Sequence, residues 1–103
     1  MKILKDFLGR NIRLTDERLQ HILEHPELVN MEIAIEETLK QPQFIVKSIS
    51  DSNAELYYRF YSGTIVGDKW LCVVVKHTLN DAFILTAYLT EKIKKGIQLW
   101  PQK

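Results

Sequence analysis

The chain has 103 residues, 46% of them apolar and 26% charged, with a formal net charge of +1. This length supports one modest core and a single domain over 1–103, and the composition excludes a disordered or collagen-like chain. The small net charge excludes a global basic field that would draw in duplex DNA. Charge is unevenly spread, however. Residues 16–43 carry seven acids against two bases, whereas 1–15 and 44–103 each sum to +3, which predicts one acidic and one mildly basic side.

Residues 1–14 mix basic and apolar positions, and the alternation in Asn11-Ile-Arg-Leu-Thr15 suits a short extended segment. Thr15 or Asp16 caps a first helix, with Asp16 and Glu17 complementing its positive end. Leu19, Ile22 and Leu23 form its apolar stripe, and Pro26 stops it after about three turns. Arg18, His21 and His25 follow at spacings of three and four, which stacks them on the opposite face. Asn30 caps a second helix from Met31 to about Gln41, with Met31, Ala34, Ile35 and Leu39 inward, and Pro42 ends it. The period then switches to two. Phe44–Ile49 reads as a strand, Asp51-Ser-Asn as a turn, and Glu55–Tyr61 as a strand with Tyr57, Arg59 and Tyr61 on one face. Residues 62–68 read as a longer loop.

Two apolar runs, Trp70–Val75 and Ala82–Leu89, flank the turn pair Asn80-Asp81 and predict an antiparallel hairpin. Lys76, His77, Thr86 and Tyr88 are its polar exceptions. The tail from Glu91 predicts a basic turn followed by an apolar patch folded back on the core. The outline is α+β: two N-terminal helices packed on a four-stranded antiparallel β-meander. The single cysteine, Cys72, lies within an apolar run and reads as a small core residue. The opening run is too short for a secretory signal and no run approaches membrane-spanning length, so a cytoplasmic protein without membrane association is expected.

His21-Ile-Leu-Glu24-His25 matches H-x-x-E-H, a zinc-peptidase pattern. Glu24 falls about 100° from His25 around a helix, Pro26 follows at once, and no further ligand is specified, so neither metal nor cofactor is expected. Pairing Cys72 with His77 fails, because residues five apart in a strand point to opposite faces. Metal-free cleavage of RNA fits better. It needs a base for the 2′-hydroxyl, an acid for the leaving oxygen, and fixed cations for the developing charge. Arg18, His21 and His25 on the helix, Arg59 between tyrosines, and Lys76, Thr86 and Tyr88 on the hairpin supply these types. Aromatic rings beside cations also stack on unpaired bases.

The runs Leu14–Glu27 with its His-Pro-Glu ending, Glu36–Pro42, Tyr57-Tyr-Arg59, Leu71–Lys76, Phe83–Tyr88 and Ile93–Trp100 together resemble the phage- and polymorphic-toxin-associated nucleases of the barnase–EndoU–colicin–RelE-like fold. The resemblance spans about residues 11–100. It implies a RelE/barnase-like arrangement and metal-independent endoribonuclease activity, with His25, Lys76 and Thr86 catalytic and His21, Arg59, Tyr88 and Arg18 binding substrate. It also implies RNA as substrate and a cognate antitoxin or immunity protein as partner. The alternative is a catalytically inactive member acting as a protein- or RNA-interaction module. A site on one sheet face requires Lys76 and Thr86 on the same side. A two-residue turn would separate them; a three-residue loop, or a bulge doing the same job, would unite them.

Overall fold

The computed structural model describes residues 1–102. Its strands are β1 (Lys2–Lys5), β2 (Asn11–Leu14), β3 (Phe44–Lys47), β4 (Ala54–Thr64), β5 (Gly67–His77), β6 (Ala82–Thr90) and β7 (Ile97–Trp100), and its helices α1 (Asp16–Leu23) and α2 (Glu32–Lys40). All seven strands form one sheet in the order β1-β2-β6-β5-β4-β3-β7. The expected architecture, two helices on a four-stranded antiparallel meander, is therefore corrected. The meander β3–β6 is present, but it is the middle of a mixed seven-stranded sheet.

The difference arises at both edges. The basic N-terminal segment folds into a hairpin, and β2 joins β6 in parallel. The C-terminal apolar patch becomes β7, antiparallel to β3. Strands of four residues at an edge have too few positions to show a clear alternation. Their pairing is decided by the neighbour they find.

The helices are also shorter than expected. Thr15 accepts the Arg18 amide as N-cap, but α1 ends at Leu23, well before Pro26, which opens a 3-10 turn Pro26–Leu28. Helices of eight and nine residues do not persist alone in water. They are held by docking Ile22, Ile35 and Leu39 onto the sheet. Residues 62–68 form a tight hairpin tip rather than a loop, with Gly63 and Gly67 at positive φ.

The sheet is buried unequally on its two faces. One face (Tyr57, Leu71, Val73, Val75, Ile84, Ala87) packs beneath the helices. The other carries Val46, Leu56, Tyr58 and Cys72 with Phe44, Trp70, Val74 and Tyr88 around them. Among the described residues, this second face is crossed by residues 91–96, the connection from β6 to β7. Lateral displacement across four strand spacings is about 19 Å, and the seven steps from Thr90 to Ile97 reach at most about 25 Å. The connection is therefore long enough to span the sheet as a short strap. Ile93 packs on the sheet, the Lys94 amide donates to the Tyr58 hydroxyl at 3.1 Å, and Gly96 lies against Val46 and the Lys47 carbonyl.

Candidate functional site

The central hairpin turns through four residues, 78–81, and the pairing shifts between Val74 and Val75. Lys76 pairs with Phe83 and Val75 with Ile84, but Val74 pairs with Thr86, so Leu85 is the extra residue of a bulge. Without the bulge a four-residue loop would put Thr86 on the helix side. With it, Thr86 shares the open face with Lys76.

Three rows cross this face. Arg13, Phe83 and Lys76 form the first, with the Arg13 guanidinium 5.2 Å from the Phe83 ring centroid. Thr86, Val74, Leu56 and Val46 form the second. Tyr88, Cys72, Tyr58 and Phe44 form the third, where the Lys94 ammonium lies 5.7 Å from the Tyr88 ring centroid. Below them Trp70 meets Phe44 and Phe60 edge to face. The strap adds Lys92 and Lys95.

Local electrostatics hold these groups in place. Lys76 is paired with Asp51 of the β3–β4 turn. That ion pair, with the Asn53 amide, keeps the Asp51 carboxyl below its usual range. Arg13 pairs with Asp81 at 2.7 Å and lowers it likewise. Burial pushes the Cys72 thiol up to about 11 and the Tyr58 phenol up to about 12. The Tyr88 phenol is raised too, first by burial, then by the adjacent Cys72; its oxygen is buried and makes no well-aligned hydrogen bond.

The sequence-predicted residues separate into two groups. Lys76, Thr86 and Tyr88 come together on the open face. Arg18, His21 and His25 lie in the helical layer, with the sheet between the two groups. The expected stacking of those three does not extend to His25, which follows the end of α1 in an extended conformation. His21 and His25 are largely exposed, each 3.8 Å from a nearby glutamate. Arg59 is on the helix side, bonded to the Gln41 carbonyl at 2.8 Å and 3.4 Å from Glu37, where it closes the end of α2. Among the described residues no group of three or more His, Cys, Asp or Glu side chains is arranged to hold a metal ion. No helix there is long and apolar enough to cross a membrane.

A second polar cluster, absent from the sequence reading, lies at the turn end of the sheet on the helix side. The buried Asp6 carboxylate accepts from the amides of Leu8 and Arg10, the Arg10 guanidinium and the Tyr57 hydroxyl, at 2.8–3.0 Å. Beside it Glu55 lies 3.3 Å from Arg10, 3.4 Å from the Tyr57 hydroxyl and 3.1 Å from His77. Burial alone would raise the Glu55 carboxyl; His77 and Arg10 outweigh it, and the group sits below its usual range. The only sequence signal was indirect: His77 and Glu55 are ionisable residues at the ends of apolar strands.

No family model, curated protein or solved structure matches this chain, so its functional reading rests on its own residues and their geometry.

Proposed function

We propose that the protein binds single-stranded RNA on the open face of its sheet and cleaves it without a metal, as the toxin-associated nucleases it resembles are expected to do. The observation that carries this reading is the bulge at Leu85. It makes Lys76 and Thr86 neighbours on a face that also bears Arg13, Phe83, Tyr88 and Lys94. Rings beside cations suit unpaired bases and their phosphates. The seven carboxylates of residues 16–43 belong to the helical layer on the other side and do not repel a polyanion laid here.

On this reading Arg13 and Lys76 hold the phosphate, Thr86 positions it by hydrogen bonding, the Asp51 carboxylate takes the 2′-hydroxyl proton as that oxygen attacks phosphorus, and the Lys76 ammonium beside it gives a proton to the leaving 5′-oxygen. A cytoplasmic setting, and an antitoxin or immunity protein as inhibitor, belong to the same proposal. The second reading, RNA binding without cleavage, is favoured by one observation: Lys76 is already neutralised by Asp51, and no histidine shares this face.

The test is incubation of purified protein with unstructured RNA in EDTA, beside a fluorescence-anisotropy titration. Cleavage abolished by Lys76→Ala and by Asp51→Asn, with His25→Ala unaffected, is the expected result. Binding without cleavage selects the second reading. RNA binding unchanged by Lys76→Ala and Arg13→Ala together would remove the open face from the account.

A further inference from the structure

We propose that the cleft walled by Phe7, Trp100 and Glu55, on the helix side at the turn end of the sheet, is a binding site for one unpaired nucleobase. It deepens the RNA reading by naming a second contact for the same class of ligand, away from the open face.

The cleft encloses about 200 Å³ among Phe7, Leu8, Arg10, Ile45, Glu55 and Trp100. That is smaller than the ~300 Å³ at which drug-sized pockets begin, and it suits a single flat ring system. Trp100 and Phe7 are in contact at 4.9 Å between centroids, and Trp100 keeps 36% of its surface exposed. An aromatic face of this kind offers a base about 1–3 kcal/mol of stacking.

The polar groups match a base edge. Arg10, Tyr57 and His77 all approach the same Glu55 oxygen, Oε1, and Oε2 is left as an acceptor. Arg10 spends Nε and Nη2 on Asp6, Tyr57 and Glu55, which leaves Nη1 as a donor. A donor and an acceptor side by side are what the hydrogen-bonding edge of a base requires. A phosphate fits poorly, because Arg10 is already balanced by Asp6 and Glu55. Pre-organisation is strong: four bonds to Asp6 fix the 6–10 loop before any ligand arrives.

The two tryptophans allow a direct test. Trp70 lies on the open face, so in a Trp70→Phe background Trp100 is the sole tryptophan reporter. Uncharged nucleosides are expected to quench Trp100 saturably, and ribose 5-phosphate is not. Leu8→Glu, which puts a carboxylate at a rim position 65% exposed, and Glu55→Gln, which removes the charged acceptor, are each expected to weaken nucleoside binding about tenfold. Equal quenching by ribose 5-phosphate, or nucleoside affinity unchanged in both variants, would overturn the base site. If RNA anisotropy still responds to Lys76→Ala in the otherwise native chain, that failure belongs to the cleft alone; loss of both signals would remove the RNA reading with it.

Discussion

The two faces of the sheet are built on opposite plans. Away from the Phe7–Trp100 cleft the helix side is closed: Ile12, Leu28, Ile35, Leu39, Tyr57 and Val73 have no exposed surface, and Asp6 and the Tyr57 hydroxyl are bonded to one another. The open side holds four buried residues, of which only Tyr58 and Cys72 have no exposed surface, under the strap of residues 91–96, with Lys76, Thr86 and Tyr88 partly accessible around them. One face therefore carries most of the stability, and the other can present chemistry because little is stacked upon it.

The sharpest way to break this contrast is to remove packing from each side in turn. Ile35→Ala, on the sheet-facing side of α2, is expected to cost about 3–4 kcal/mol, the middle of the range for a fully buried aliphatic side chain; urea denaturation measures it. A loss under about 1 kcal/mol would mean the helices are not the main source of stability. Gly96→Ala probes the strap. A Cβ there would meet Val46 Cγ1 at 2.6 Å and the Lys47 carbonyl, and overpacking of this kind costs about 1–3 kcal/mol. The same denaturation curve reads it, with β7 the first strand to lose amide protection in hydrogen exchange.

Ile93→Ala is the gentler change, expected to cost about 1 kcal/mol because Ile93 is only partly buried. Its clearer signature is chemical. Cys72 is inert under the strap, buried and with its thiol raised to about 11. Loosening the strap is expected to speed its modification by a disulfide reagent at least several-fold while far-UV circular dichroism stays native. Unchanged reactivity would show that the strap is not what shields this face.

The smallest effect is a pH slope on the closed side. Glu55 titrates below its usual range in the folded protein, so it binds fewer protons than in the unfolded chain. Its contribution is present above the unfolded value near about 4.3 and is lost as pH falls through the lower folded value. Thermal midpoints measured from pH 6 to 3 are expected to fall less steeply in Glu55→Gln than in the native chain. Parallel slopes would mean that the Arg10 and His77 contacts of Glu55 add nothing in solution.

Much of this was legible in the sequence. The Thr15 cap, the 3.6-residue periods of the two helices, the alternation in 55–61 and the apolar runs 70–75 and 82–89 around a turn pair are local signals. They are legible because backbone sterics and side-chain periodicity act over a few residues. The acidic run of 16–43 likewise gave the helical layer its charge. Arg59 illustrates the limit: its neighbours on the strand were plain, yet its engagement with the Gln41 carbonyl and Glu37 depends on where α2 ends.

What only the tertiary structure decided is partnership at long range. Four-residue segments became β1, β2 and β7 because particular strand edges were free to receive them. A single bulge at Leu85 chose the face of Thr86. Asp6, Arg10, Glu55, Tyr57 and His77 were gathered from three distant stretches into one network. Periodicity specifies which side chains share a face of one element; it does not specify which element lies beside it, because that choice is made by closure of the whole sheet.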